Sequence, residues 1–263
     1  MFNFLHLSDT HIPDKKGDLW YGVDPCLKLE KLIELAKKLE LNPSFTVITG
    51  DISHTGTIQS YRLAKKYINK IQGLGGIVLP TMGTMDNRKN FSDILLGKPS
   101  QHEEPPCYYS KTIEGLHVVA MDSHTPSSHT GSFGEEQLDW LEEELTVHKD
   151  EPAIIAFHEP IYLFGELGMF NKVDAIRFKE IVSKGNVLAV LNGHLHFTLF
   201  TMVDGIHYIQ AGSPLWSNTI NEIGTISHSH DSSSFNSLIY IESRLFVRPV
   251  SFFEETQLIE KTL

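Results

Sequence analysis

An α/β fold follows from three features of the sequence. Short apolar runs alternate with helical patterns, the runs stop abruptly at polar residues, and turn signals lie between them. Phe2 to Leu7 is mostly apolar, stops at Ser8-Asp9, and reads as a buried strand. Asp24-Pro25 offers an N-cap followed by proline at the first helical position. Behind it Leu29, Leu32, Ile33, Ala36 and Leu39 recur at helical spacing. Phe45 to Thr49 is a second strand ending at Gly50-Asp51. Thr57 opens a second helix, with Tyr61, Ala64, Ile68 and Ile71 on its apolar face. Gly75 to Pro80 reads as a third strand running into Gly83 to Asn87. This alternation implies parallel strands with right-handed crossovers, a topology that collects sites at the carboxyl ends of its strands.

The second half has a more antiparallel character. Tyr108 to Ile113 and Leu116 to Met121 form a hairpin pattern turning at Glu114-Gly115. A helix is predicted over Glu135 to Leu145, a strand over Ala153 to Phe157, a helix near Val173 to Val182 and a strand over Val187 to Leu191. Phe197 to Val203 and Ile206 to Ile209 make another hairpin around Asp204-Gly205. After the polar stretch His228 to Ser234, the segments Ser237 to Ile241 and Leu245 to Phe252 are expected to close the sheet. With no internal repeat and no linker, residues 1–263 read as one domain whose last strands begin at about residue 235.

Composition narrows the function. The chain is 41% hydrophobic and 21% charged, with a net charge of −11 and no dense Lys/Arg run. Nucleic acid and anionic membranes attract basic surfaces, so both are disfavoured as partners. Cys26 and Cys107 are too few for a disulfide framework and are read as buried thiols. The N-terminus lacks the basic and apolar regions of a signal peptide, and no run approaches the ~18 apolar residues of a membrane span. A cytoplasmic protein is the expectation.

Metal-capable residues gather at the predicted strand ends: Asp9 and His11, Asp51, His158, then His194 and His196. In an extended segment residues two apart point the same way, so each spaced pair can grip one ion. Gly193 supplies the tight backbone that turns the imidazoles inward, and a carboxylate at Asp51 can bridge two cations. Mixed carboxylate and imidazole donors suit Zn, Mn or Fe and fit Ca or Mg poorly. Single residues of these types usually have duller roles: an Asp after a strand is most often a turn residue. His6, His117 and His207 are accordingly assigned to hydrogen-bonded core or edge positions. The coincidence of four groups at four strand ends is what carries the metal reading.

Five ordered blocks resemble those of calcineurin-like metallophosphoesterases: Leu7-Ser8-Asp9-Thr10-His11, Gly50-Asp51, Gly83 to Asp86, His158-Glu159-Pro160 and Gly193-His194-Leu195-His196. The stretch Met121-Asp122-Ser123 through Gly131, with Glu136 to Leu141, is similar to the bacterial class III cyclic-nucleotide and glycerophosphodiester phosphodiesterases. The resemblance runs from residue 4 to about 214. It implies a double β-sheet sandwich flanked by helices and a dinuclear centre of divalent ions, with Asp9, His11 and His196 on the first, His158 and His194 on the second, and Asp51 between them. It further implies hydrolysis of a small phosphoester, a nucleotide or a glycerophosphodiester, by a metal-bound hydroxide.

The sequence departs from the family at one block. Where Gly-Asn-His-Asp is usual it has Gly83-Thr84-Met85-Asp86. Thr84 stands where an amide would ligate the second ion, and Met85 where a histidine would contact phosphate or protonate the leaving group. A hydroxyl is the weaker ligand and a thioether cannot deliver a proton, so a weakened second site is expected. Loss of a positioned acid costs ~10²–10⁴ in rate. That leaves a slower hydrolase, or a degenerate member that binds a phosphorylated ligand with little turnover. His54, His124 and His129 are candidates to compensate. Asp86 and Asn87 are expected to orient the altered block, with Asp86 supporting a ligand histidine, and Glu159 to line the pocket.

Overall fold

Two mixed β-sheets lie face to face with helices against their outer surfaces. A computed structural model of the chain describes residues 1–99, 105–163, 166–167, 169–220, 226–230 and 232–253. The single domain expected over residues 1–263 therefore includes a terminal segment, 254–263, outside the described residues. The chain begins β1 (Phe2–Leu7), α1 (Pro25–Lys38), β2 (Phe45–Thr49), α2 (Ile58–Gln72), β3 (Ile77–Thr81) and α3 (Arg88–Asn90), which runs into a π turn at Phe91–Leu96. It continues through β4 (Tyr109–Ile113), β5 (Leu116–Ala120), α4 (Glu135–Val147), β6 (Ala153–Ala156), β7 (Tyr162–Leu163), β8 (Glu166–Leu167) and α5 (Lys172–Lys184). Then follow β9 (Val187–Asn192), β10 (Leu199–Val203), β11 (Ile206–Gln210), β12 (Ser217–Ile220), β13 (Ile226–Ser229), β14 (Ser232–Ile241) and β15 (Arg244–Phe253).

The first sheet has the order β15-β14-β1-β2-β3 and the second β10-β11-β9-β6-β5-β4. As expected, β1, β2 and β3 are parallel, with helices α1 and α2 as crossovers. In the second sheet β5, β6, β9 and β11 are parallel, and the β4 and β10 hairpins are antiparallel. Strand periodicity divides the core. Along β1, Leu5 and Leu7 face α1 and α2, while Phe4 faces the other sheet. Phe4 stacks on Phe45 at a centroid distance of 4.6 Å, in a layer with Val118, Ile154 and Leu191 of the second sheet. Val119, Ile155 and Val190 point outward to α4 and α5.

Local chemistry explains the helix ends. Asp24 caps α1 by accepting from Cys26 N at 2.9 Å and Leu27 N at 3.1 Å, with Pro25 at the first position. The expected apolar face of α1 is buried except for Leu39, which is exposed because the helix has already ended and Glu40 turns the chain with φ 52°. The third strand starts at Ile77 rather than Gly75. Gly76 has φ +66°, and a Cβ there would lie 1.8 Å from Ser44 O, so this pair makes the turn. The polar stretch before the last strands is itself partly strand: β13 ends at Ser229 and β14 begins at Ser232, with residue 231 outside the described residues. The last two strands do close a sheet, through antiparallel pairing of β14 with β1.

Phe4 fills the layer between the sheets with no solvent exposure. Phe4→Ala is expected to lower the unfolding free energy by about 3–5 kcal/mol, read from the urea midpoint at unchanged m-value.

Candidate metal centre

Strands β1, β2, β6 and β9 end on the same edge of the sandwich, two from each sheet, and the residue two places past each end is Asp9, Asp51, His158 or His194. The loops are tied together by their backbones. Asp9 N donates to Gly50 O at 3.1 Å, His11 N to Asp51 O at 2.9 Å, and Gly193 N to His158 O at 3.0 Å. Across the sheets, His194 N donates to Asp9 Oδ2 at 2.9 Å. The close approach explains Gly193: a Cβ there would lie 1.7 Å from Ser8 Oγ and 2.8 Å from Thr49 O.

The six predicted residues converge as two groups of side chains. Asp9, His11 and His196 form one, and Asp51, His158 and His194 the other, each with donor atoms within 4.8 Å of one another. Asp51 Oδ2 is 3.7 Å from His11 Nε2 and 3.4 Å from His158 Nε2, so it stands between the groups. The paired histidines reach these positions differently from the expected extended geometry. Asp9, His11, Asp51, His194 and His196 all have positive φ, at 54°, 41°, 47°, 75° and 57°. Non-glycine residues rarely occupy this region, and such strain concentrates at functional sites. The left-handed turns send His194 and His196 to separate groups.

The contacts fit cations. His11 Nε2 faces His196 Nε2 at 3.2 Å, and His194 Nδ1 faces His158 Nε2 at 3.2 Å. Asp9 Oδ1 is buried without a hydrogen bond, although His196 Nε2 is 3.2 Å away. A buried carboxylate oxygen ringed by imidazole nitrogens is the donor set of a transition-metal site. His158 Nδ1 lies 2.7 Å from Thr49 O and donates to it, which leaves Nε2 directed inward.

The electrostatics agree. Burial pushes the Asp9 and Asp51 carboxyls upward, but His196 and His158 beside Asp9, and His158 and His11 beside Asp51, outweigh it and hold both well below the usual range. Burial opposes charge on His158, and the Asp51 and Asp9 carboxylates overcome it and raise its pKa well above normal. Burial lowers His11 and His194 to about 4, keeping them in the neutral form a ligand needs.

The altered block is built into the same edge. Met85 N donates to Asp51 Oδ1 at 2.7 Å, and Thr84 Oγ1 donates to Asp51 Oδ1 and Oδ2 at 3.3 and 3.2 Å. Thr84 thus meets the carboxylate at the centre of the site. Asp86 does not support a ligand histidine as expected. It accepts from Ile52 N, Ser53 N and Gly83 N at 3.2, 3.0 and 3.0 Å and from Tyr61 Oη at 2.7 Å, clipping the loop after β2 to the loop after β3. Burial and the nearby Asp51 charge raise its pKa to about 7. The histidine-orienting role falls to the carbonyl of Thr49. Asn87 does order the block, capping α3 through Asn90 N at 3.0 Å. Glu159 does not line a pocket either: it is fully buried, bonds Ser123 Oγ, and is raised to about 7 by burial.

Of the candidate compensating histidines, His54 lies 5.6 Å from the His11 ring and His129 lies 6.3 Å from the His194 ring, measured between centroids. His124 sits on the loop held by Arg88, whose Nη2 donates to His124 O at 2.6 Å and Nε to Asp122 Oδ2 at 2.9 Å. His6 keeps its expected core role, bonding Thr49 Oγ1 at 2.9 Å. Trp216 was not anticipated from the sequence. It stacks on His196 at 4.8 Å and lies parallel to His11 at 6.1 Å, and only its place next to Gly212-Ser213-Pro214 could have drawn notice.

The profile of the family described as calcineurin-like phosphoesterase matches residues 2–197. The chain belongs to that family. Its curated relatives include a probable cyclic nucleotide phosphodiesterase of Rhodococcus erythropolis, 28% identical over 94% of this chain and 82% of the relative. A probable glycerophosphodiester phosphodiesterase of Arcobacter nitrofigilis is 29% identical over 80% of this chain and 77% of the relative. Among solved structures, a dimetal phosphatase from Danio rerio matches with a TM-score of 0.68 at 14% identity, covering 96% of this chain and 98% of that one. A purple acid phosphatase from yellow lupin seeds matches with a TM-score of 0.64 at 15% identity, covering 94% of this chain and 51% of that one. At these identities the structural matches speak for the fold. The double-sheet sandwich and the phosphoesterase class are therefore those of the family.

Asp9→Asn removes charge from a carboxylate that faces three imidazoles. It is expected to weaken binding of Mn or Zn by at least about tenfold in calorimetric titration, in line with the cost of disturbing metal ligation.

Proposed function

We propose that the chain is a phosphodiesterase, acting as a single domain on a small phosphodiester such as a cyclic nucleotide or a glycerophosphodiester. The observation that carries the reading is the pair of carboxylate–imidazole groups sharing Asp51. The names of the curated relatives support diester over monoester chemistry. In this reading Asp9, His11 and His196 hold one divalent ion, His158 and His194 the other, and Asp51 bridges them. Mn, Fe and Zn all suit these donors. When bound, such ions polarise phosphoryl oxygens and acidify water.

The rest follows from the chain's own groups. Met85 N and Thr84 Oγ1 fix the two oxygens of Asp51, so the altered block positions the bridge. Thr84 spends its hydroxyl hydrogen on that carboxylate and supplies only a weak oxygen donor, which makes the second ion the more loosely held. The thioether of Met85 cannot protonate a departing alkoxide. Leaving groups must then depart with little help, so esters of acidic alcohols are the better substrates. Among the described residues no helix is long and apolar enough to cross a membrane.

The test compares bis(p-nitrophenyl) phosphate with p-nitrophenyl phosphate after loading with Mn, Fe or Zn. Faster diester hydrolysis that Asp51→Asn abolishes is expected. Binding of both metals with no turnover of either ester would mean a phosphate-binding protein instead. Met85→His is expected to raise kcat for poor leaving groups by ~10²-fold or more, with little gain for p-nitrophenolate. Thr84→Asn should strengthen the second metal-binding step in calorimetry and leave the first unchanged.

A further inference from the structure

Beside the first group of donors, aromatic side chains close into a ring. Between ring centroids, His54 lies 5.6 Å from His11, Trp20 3.5 Å from His54, and Tyr21 4.6 Å from Trp20. Tyr21 meets Trp216 edge-on at 5.8 Å, and Trp216 returns to His11 at 6.1 Å and to His196 at 4.8 Å. The circuit joins the loops that follow β1, β2 and β11. Trp20, through His54, and Tyr21, through Trp216, each stand one ring away from an imidazole assigned to the first ion.

Packing accounts for Trp216, which is 5% exposed, but not for Tyr21, which is 68% exposed. The backbone points the same way. Trp20 N donates to Val23 O at 2.8 Å and Val23 N to Trp20 O at 2.9 Å, closing a two-residue turn on Tyr21 and Gly22. Both turn residues have positive φ, 46° and 81°, as in a type I′ hairpin. Glycine, asparagine or aspartate suits the first of these positions, and a tyrosine holds it at a cost in backbone strain. A large ring thus stands at the lip of the metal centre where the turn by itself favours a small residue. Aromatic faces recognise flat rings by stacking and offer little to the hydroxyls of a polyol.

We propose that Trp20 and Tyr21 form a subsite that stacks a nucleobase carried by the diester, with Trp216 as its floor and His54 as its inner wall. The inference rests on the phosphodiesterase reading above and narrows it: nucleotide diesters are preferred to glycerophosphodiesters. In a nucleotide one sugar ring separates the base from the phosphate, much as one ring separates Trp20 and Tyr21 from the donors. Stacking accepts every base, so selectivity among bases is modest.

The experiment measures, by calorimetry, the affinity of zinc-loaded full-length protein for adenosine 5′-monophosphate and for glycerol 3-phosphate. The two probes share a phosphomonoester and differ in the base. The wild type is compared with Trp20→Ala, Tyr21→Gly and Tyr21→Phe. It is expected to bind the adenosine probe more tightly than the glycerol probe. Trp20→Ala and Tyr21→Gly should each weaken the adenosine probe by roughly 5- to 100-fold, the range for one lost base–aromatic stack. Glycerol 3-phosphate should bind all four proteins alike, and Tyr21→Phe should keep the wild-type affinity for both probes. Tyr21→Gly relaxes the turn, so its Tm should not fall. A lower Tm with the adenosine preference intact would mean a purely structural ring and would overturn the proposal. Equal affinity of the wild type for the two probes would do the same, and parallel loss of both probes in the variants would count against it. Failure to hydrolyse any ester would instead end the phosphodiesterase reading, and the two affinities would still decide the subsite.

Discussion

Two carboxylates with almost no access to water, Asp9 and Asp51, set the terms for the rest of this molecule. Burying ionised groups is expensive unless opposite charge meets them. Here the protein surrounds them with His11, His158, His194 and His196. Among them His158 is pushed toward the charged form, while His11 and His194 are held neutral. Imidazoles that stay neutral beside buried carboxylates leave negative charge to be balanced from outside. That balance is what a cation supplies, and the architecture follows from it. Two sheets end on a shared edge because neither alone can present donors from enough directions.

Holding six donors at one edge requires backbone precision, and polar groups packed behind and beside the donors provide it. Thr49 serves twice, its carbonyl accepting from His158 and its hydroxyl contacting His6. Asp86 and Tyr61 join the loops after β2 and β3, and Arg88 with Asp122 anchors the loop that carries His124. The departure at Thr84 and Met85 leaves this scaffold intact, because the contribution of Met85 to Asp51 is made by its backbone. Replacing the side chains removed chemistry and preserved geometry.

Much of this was legible in the sequence because it depends on local rules. Strands betray themselves as apolar runs ending at Ser8-Asp9 or Gly50-Asp51, and the α1 start is written in Asp24-Pro25. The six donors could be found from their places at strand ends. What could not be read was decided by tertiary contact. Asp86 looks like a partner for histidine until the amides of Ile52 and Ser53 are seen beside it. Glu159 follows a predicted ligand and yet points into the interior toward Ser123. The hairpins β7–β8 and β12–β13 are too short to show periodicity. His117 reads as an ordinary edge histidine, and nothing in the sequence places it against His148, which comes from a different element.

The left-handed conformations at Asp9, His11, Asp51, His194 and His196 have an implication for how this chain can change. Each such residue costs on the order of 1–3 kcal/mol relative to a relaxed backbone. Without cations, the centre is a reservoir of strain and repulsion, and glycine or asparagine at several of these positions would relax it. Drift or selection for thermal tolerance alone would therefore erode the donors ahead of the hydrophobic layers. All six are nonetheless present beside a block that carries Thr84 and Met85, and the strain they hold is of the kind that bound cations would offset.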